Sequence, residues 1–327
     1  MVTHENVGVL AADCGDPEWA GTRAWVEQQV GGGCRVEAAE RLRGGWTSQM
    51  RRLRIGGPGE PRWLVLRSFV RPFFARHAEG LLTREADTLR LLGGTDVPAA
   101  AFHAVDATAA HCAHPSLLMS LLPGSVRVDE AEAALRTPLL ARQLLGIHRL
   151  QVPAGARPRA YEAWAAPDRV RLPESTGRPD LWERAVDVIR REPPAYRPCF
   201  LHRDFHPGNV LFTGRGSDLR ITGVVDWVET SWGPADLDVA HCSTALALLH
   251  GVGEGMRLAD AYTAAGGALS DDPADHLYWR VLDALGFAPD AGKVGAPWRE
   301  LGRDDLTPDL LANRLEDYLQ ELFRTFG

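Results

Sequence analysis

The chain has 327 residues, of which 45% are apolar and 24% charged. That balance excludes collagen-like, low-complexity and wholly disordered chains, and the length admits one large domain or two modest ones. The net charge of −7 argues against a general nucleic-acid binder, and no apolar run approaches the ~18–20 residues that cross a bilayer.

In chain order, residues 16–30 read as a short helix, opened by Asp16-Pro17 and closed by Gly31-Gly32-Gly33. Strand patterns follow over Arg35–Leu42, Met50–Ile55 and Trp63–Arg67, separated by glycine-rich turns, which predicts an antiparallel meander. Residues 78–92 carry Leu81, Leu82, Ala86, Leu89 and Leu92 at helical spacing. Ser116–Leu122 is an apolar strand stopped by Pro123-Gly124. A long helix is expected over Asp129–Leu150, and one or two more within 158–192, with a loop at Pro173–Pro179. Residues 199–226 turn extended. The pattern is helical again over 236–322, interrupted by Gly251, Gly266-Gly267 and a loop at 286–300. The expectation is an α+β chain with no internal repeat. A small antiparallel-sheet part spans residues 1–122, a linker lies near 120–125, and a larger, mostly helical part spans residues 123–327.

Charge is uneven. Lys293 is the one lysine, so 35 of the 36 basic residues are arginines. Residues 41–76 hold nine arginines and one acid, Glu60, for a local +8 against −15 elsewhere. Such a split suits a polyanion at one site and a cation at another, or else a solvated arginine-rich sheet face. Five scattered cysteines without C-x-x-C spacing predict neither a zinc site nor a disulfide framework. The N-terminus lacks a basic stretch followed by an apolar one, so no signal peptide is expected and a cytoplasmic setting fits.

Two glycine motifs are set aside. Gly251-Val252-Gly253-Glu254-Gly255-Met256 has methionine where the last glycine of a dinucleotide fingerprint belongs, and no strand precedes it. Gly286 to Gly292-Lys293 has the wrong spacing for a phosphate loop, with Val294 where a magnesium-binding hydroxyl should stand.

The informative stretch is His202-Arg203-Asp204-Phe205-His206-Pro207-Gly208-Asn209, followed by Val225-Asp226-Trp227. The segments Val210–Phe212 and Leu219–Val225 flank a turn at Gly214–Asp218 and read as hairpin arms. A hairpin would bring Asn209 and Asp226 side by side, with Asp204 one loop earlier. Two carboxylates and an amide oxygen are hard ligands suited to magnesium. One acid can coordinate metal while the other accepts a proton, a division that phosphoryl transfer from a nucleotide needs. A rival reading groups His202, Asp204 and His206 as a hydrolytic metal site.

This constellation resembles the aminoglycoside phosphotransferase family, which is related to choline kinases and more distantly to protein kinases. The resemblance implies a bilobal protein-kinase-like fold and an ATP- and magnesium-dependent phosphotransferase acting on a hydroxyl of a small molecule. That acceptor could be an antibiotic, an amino alcohol, a sugar or a biosynthetic intermediate. By resemblance, Asp204 is the catalytic base or orienter of the acceptor, and Asn209 and Asp226 hold magnesium. Gly45 and Ser48, in Gly44-Gly45-Trp46-Thr47-Ser48, cover the phosphates. Arg67 contacts them from a strand, where better-known members of the superfamily carry lysine, and Glu85 positions it. Ser120 and Leu122 reach adenine through backbone groups, with Met119 in the base pocket or the core. His202 fixes the loop, and Asp238 braces it from the following helix, after a preceding helix that ends at His148. Arg203 stands where antibiotic kinases of this family often have glycine. Glu162, Glu229, Asp236 and Asp283 are possible acceptor contacts. A catalytically silent nucleotide-binding regulator of the same fold is the alternative.

Overall fold

The computed structural model describes residues 9–12, 17–42 and 48–327, with side chains from Trp19 onward. The glycines expected over the phosphates, Gly44 and Gly45, therefore lie outside the described residues, while Ser48 lies within them. The chain divides into two compact units. The first comprises residues up to Ser125 together with Thr222–Val228; the second takes in Val126–Ile221 and Glu229–Gly327.

The first unit is built on a six-stranded antiparallel sheet. Its strands are β1 (Val9–Ala12), β2 (Arg35–Leu42), β3 (Gln49–Gly56), β4 (Arg62–Ser68), β5 (Phe102–Asp106) and β6 (Ser116–Ser120), in the order β1-β2-β3-β4-β6-β5. Three helices accompany them: α1 (Pro17–Val30), α2 (Pro72–Ala75) and α3 (Ala78–Leu92). Helix α1 stops at three glycines that all take positive φ, which a Cβ would penalise. Along β3, Leu53 and Ile55 enter the core beside Trp19, Trp25 and Val26. Arg52 and Arg54 alternate onto the other face, where Arg52 Nε meets Glu40 at 3.1 Å and Arg54 Nε meets Glu37 at 3.3 Å. Two of the nine arginines of residues 41–76 are thus spent on ion pairs across neighbouring strands. Strand β4 lies between β3 and β6, and every residue from Leu64 to Ser68 is buried, Arg67 included.

The second unit is largely helical. It holds α4 (Ala133–His148), α5 (Pro179–Ile189), α6 (Ala235–His250), α7 (Val252–Ala264), α8 (Pro273–Leu285), α9 (Gly295–Glu300) and α10 (Pro308–Phe326). The short strand β7 (Ser125–Val126) sits where the division falls. Strands β8 (Pro198–Leu201) and β11 (Ser231–Pro234) pair antiparallel, and β9 (Val210–Thr213) and β10 (Arg220–Val224) are neighbouring strands. The last residues of β10, Thr222–Val224, belong to the first unit. Helix α6 is buried on every side from Leu237 to Leu249, the signature of a central helix. Helices α4, α7, α8 and α10 pack around it. Several helix starts follow local rules: α8 opens with the Asp272 carboxylate on the Ala274 N–H and Pro273 in its first turn, and α10 repeats the device with Thr307 and Pro308.

Two expectations are corrected. Helix α4 starts at Ala133, not Asp129, because Glu132 takes a left-handed φ of 60°. The Arg136 guanidinium then holds the carbonyls of Ala131 and Asp129 in the preceding loop. Of the one or two helices expected within 158–192, one forms, α5; residues 158–178 contain no α-helix, being interrupted by Pro158, Pro167 and Pro173, and Ala160 bridges to Trp232 on β11. The stretch 286–300 is not all loop, since α9 forms within it. Strands β1, β5 and β11 and the single turn of α2 were too short to stand out in the sequence pattern.

Candidate active site

In the first unit, Arg67 at the end of β4 is the centre of a buried cluster. Its Nε donates to Ser48 Oγ at 3.0 Å. Its Nη1 lies 3.0 Å from each Glu85 carboxylate oxygen and 2.8 Å from Asp226 Oδ1. Glu85 comes from the buried face of α3, where it follows Leu82 by three residues and precedes Leu89 by four. The two acids raise the Arg67 pKa against the effect of burial, so the guanidinium stays charged. Burial raises the Glu85 carboxyl, Arg67 opposes it, and the Asp226 charge raises it again, for a net upward displacement.

Asp226 reaches this cluster on a segment fixed at both ends. Val224 N–H donates to Pro98 O at 2.8 Å, Trp227 Nε1 to Val224 O at 3.0 Å, and Arg84 Nε to Val228 O at 2.5 Å. Asp226 itself has φ of 65°, a left-handed conformation that aspartate tolerates better than most residues. Ser48, Arg67, Glu85 and Asp226, four of the residues singled out in the sequence, thus form one network. Ser120 and Leu122 stand apart from it at the end of β6. The Ser120 N–H donates to Ala101 O at 2.9 Å, so it is not a free donor for a base. Leu122 lies just past the strand, half-buried. Met119 is a buried strand residue of β6.

In the second unit, the loop after β8 is held from below by Asp238 on α6. That fully buried carboxylate accepts from His202 N–H and Arg203 N–H, each at 2.8 Å. His148, the last residue of α4, sits 3.3 Å from it and 2.8 Å from Tyr262 Oη. Burial would raise the Asp238 carboxyl, but the bond to His148 and the surrounding charge hold it below its ordinary value. The peptide dipoles of the loop are therefore anchored to a permanent anion.

Asp204 follows on this loop. Asn209 Nδ2 donates to the Asp204 backbone carbonyl at 2.9 Å and to Asp204 Oδ2 at 3.0 Å. The other oxygen, Oδ1, lies 3.2 Å from His241 Nε2. The surrounding protein would raise the Asp204 carboxyl; the His241 bond and the charges of His206 and His241 hold it well below the ordinary carboxylate range. His241 is bonded in turn through Nδ1 to Asp283 Oδ1 at 3.0 Å. Burial would lower the imidazole, but Asp283 and Asp204 push it up to about 10.

The histidines beside Asp204 turn inward. His202 Nδ1 accepts from Asp204 N–H at 3.2 Å and His206 Nδ1 from Gly208 N–H at 3.0 Å. Among the described residues no group of three or more His, Cys, Asp and Glu side chains has metal-binding geometry, so His202, Asp204 and His206 do not assemble the rival hydrolytic site.

Arg203 has φ of 72°, a conformation that glycine adopts without cost. Here the guanidinium lies 4.4 Å over the half-exposed Trp164 indole and donates to Glu162 O at 3.1 Å. Of the acids offered as acceptor contacts, Asp283 is buried on His241, Glu229 pairs with Arg159 at 2.8 Å, Asp236 is half-buried with its carboxyl raised by burial, and Glu162 is exposed. His241 escaped the sequence reading. The signal was present: it follows Asp238 by three residues on a helix, so both side chains leave the same face.

A model of the phosphotransferase enzyme family matches residues 38–281. The chain belongs to that family. Its members share this fold: an antiparallel sheet followed by a largely helical region, the kinase-like α+β architecture. An aminoglycoside-3′-phosphotransferase of type VIII superposes with a TM-score of 0.56 at 19% identity, covering 83% of this chain and 100% of that one. A macrolide 2′-phosphotransferase from Brachybacterium faecium gives 0.54 at 17%, covering 89% and 97%. A spectinomycin phosphotransferase in complex with ADP and spectinomycin gives 0.53 at 13%, covering 97% and 98%. No curated protein matches the chain at a significant level. As a family member the chain is a phosphotransferase enzyme of the small-molecule kinase type.

Proposed function

We propose that the protein transfers the γ-phosphate of ATP to a hydroxyl group of a small molecule, with magnesium as the metal. The observation that carries this reading is the Asp204 carboxylate, held as an anion with one oxygen on Asn209 and the other on His241. A carboxylate held at both oxygens in this way is placed to accept a hydrogen bond from the acceptor hydroxyl and aim its oxygen. The proton follows once the new bond to phosphorus is under way. Phosphoryl transfer asks for little more, since positioning and charge stabilisation dominate its catalysis.

Asn209 and Asp226 each carry a hard oxygen donor of the kind magnesium takes. Asn209 commits its amide nitrogen to Asp204, which leaves the amide oxygen as its outward ligand. Asp226 gives one oxygen to Arg67 and keeps a carboxylate oxygen for metal. Asn209 and Asp226 would hold the magnesium, which would offset the charge of the phosphates. Arg67 contacts the α- and β-phosphates, as a guanidinium can with two hydrogen bonds, and Glu85 holds it in place. Gly45 and Ser48 cover the phosphates. Leu122 is the stronger candidate for the backbone contact to adenine, because the Ser120 N–H is already engaged.

The acceptor we infer is cationic or neutral, in keeping with the acidic balance outside residues 41–76. An antibiotic hydroxyl is the first class to test, because the similar structures carry the names of aminoglycoside, macrolide and spectinomycin phosphotransferases; a resistance role would follow from it. A cytoplasmic setting is supported by the free thiols of Cys34, Cys112, Cys199 and Cys242. Among the described residues no helix is long and apolar enough to cross a membrane.

The test is incubation with γ-labelled ATP and magnesium against a panel of aminoglycosides, macrolides, spectinomycin, choline and simple sugars. Labelled product that depends on one acceptor and vanishes without magnesium is expected. Tight nucleotide binding with no transfer to any acceptor would instead support the silent-regulator alternative.

A further inference from the structure

Two side-chain nitrogens fix the Asp204 carboxylate. Asn209 Nδ2 takes Oδ2 at 3.0 Å and His241 Nε2 takes Oδ1 at 3.2 Å. A carboxylate held at both oxygens by different elements has its side-chain torsions set. Asn209 belongs to the loop itself, whereas His241 comes from the central helix α6, one turn after the Asp238 that anchors the loop backbone. The helix therefore grips the loop twice, once by its peptide groups and once by its reactive side chain.

The imidazole is fixed in turn. Asp283 on α8 takes Nδ1 at 3.0 Å, the Phe287 ring stacks on it at 6.0 Å between centroids, and the Trp164 ring meets it edge-on at 5.1 Å. His206 cannot replace it: its Nε2 lies 3.7 Å from Asp204 Oδ1, beyond hydrogen-bond distance, while its other nitrogen serves the Gly208 N–H. We propose that His241 is a positioning residue for phosphoryl transfer, holding the Asp204 carboxylate in the orientation that meets the acceptor hydroxyl, with Asp283 fixing the ring that does so. The inference rests on the reading of Asp204 as the acceptor-orienting group. A displacement of about 1 Å at such a group can cost on the order of a hundred-fold in rate.

The test contrasts two substitutions at one position. His241→Phe keeps an aromatic ring against Phe287 and Trp164 but removes the donor to Asp204. His241→Gln gives up the ring and keeps an amide donor. If His241 positions Asp204, single-turnover transfer from labelled magnesium-ATP to the panel acceptors falls roughly ten- to a hundred-fold in His241→Phe. His241→Gln recovers most of that loss, and neither variant changes nucleotide affinity by more than about two-fold. A packing role reverses the order, with Phe the better replacement. That result, or equal rates in the two variants, overturns the inference.

A measurement on the unmodified protein keeps the question open to refutation should either variant fail to fold. Long-range 1H–15N correlation at pH 7 is expected to show both ring nitrogens of His241 protonated, and a neutral ring with a bare Nε2 overturns the inference. Asp204→Asn is run in parallel. Were it to transfer at the unmodified rate, the reading of Asp204 itself would have failed. A slow Asp204→Asn beside a fully active His241→Phe would sink the inference about His241 alone.

Discussion

At Arg203, a charged residue occupies a left-handed backbone conformation next to Asp204. Arg203→Gly and Arg203→Ala both lose the stack on Trp164, but only glycine is unstrained at φ of 72°. The left-handed penalty of ~1–2 kcal/mol for a Cβ is partly offset by the greater freedom of glycine in the unfolded chain. Arg203→Gly should therefore be more stable than Arg203→Ala by about 1 kcal/mol in urea unfolding; equal stabilities would show that the loop relaxes. The buried Arg67 makes a second case. Removing it leaves Glu85 among apolar side chains without its cation, a loss worth about 3–5 kcal/mol for a broken buried pair. Arg67→Ala should be destabilised by that order and bind nucleotide roughly ten- to a hundred-fold more weakly. Lys293→Ala should do little, since Lys293 Nζ is spent on Gly286 O at 2.8 Å. A larger nucleotide-binding loss in Lys293→Ala than in Arg67→Ala would overturn the assignment. Residue types and spacing made Asp204, Asn209 and Asp226 legible as candidates, and the family resemblance added Arg67 and Glu85. They did not reveal the direct Arg67–Asp226 contact, because that pairing joins residues 159 positions apart.

Helix α6 shows what element patterns carry and what they miss. Its apolar composition announces burial, and its N-terminal aspartates mark the helix start, yet which polar residue faces which loop depends on its rotation against β8 and α8. The neighbouring Gly251-x-Gly253-x-Gly255 run has a packing explanation in place of a nucleotide-binding one. A Cβ on Gly255 of α7 would fall 2.6 Å from both Ala247 Cβ and Ser243 O of α6. Gly255→Ala must push the two helices apart, and overpacking of this kind costs about 1–3 kcal/mol. Gly253→Ala, with nothing within 4 Å of the added atom, should be neutral or slightly stabilising. Thermal unfolding of the two variants checks this, and equal melting temperatures would contradict the close approach. Of the one or two helices expected within 158–192, α5 forms, and the prolines at 158, 167 and 173 keep the preceding segment non-helical.

For the whole molecule, titration sets a stability window. His241 is raised in the fold to about 10 from an ordinary 6.5, so its contribution is complete below 6.5 and is lost as pH climbs towards 10. Asp106, which accepts three backbone N–H groups from residues 110–112, and Asp238 are both lowered from 3.8. Their contributions are present above about pH 4 and fade as pH falls below it. Unfolding free energy should thus decline from pH 6.5 to 10, and the decline should be smaller in His241→Gln; an unchanged slope would place the titrating group elsewhere. Fold class was readable because alternation gives way to helical periodicity near residue 125. The membership of Thr222–Val228 in the first unit was not, since compactness is decided by contacts that no linear pattern records.

The division of labour between the two acids is the centre of the account, and calorimetric titration of ATP into Asp226→Ala and Asp204→Asn, with and without magnesium, tests it most directly. Asp226→Ala is expected to lose most of the magnesium-dependent gain in affinity, because the cation loses an anionic oxygen ligand. Asp204→Asn, which keeps its shape beside Asn209, is expected to bind magnesium-ATP nearly as the unmodified protein does. Loss of magnesium-dependent binding in Asp204→Asn with full retention in Asp226→Ala would contradict the account and exchange the two roles.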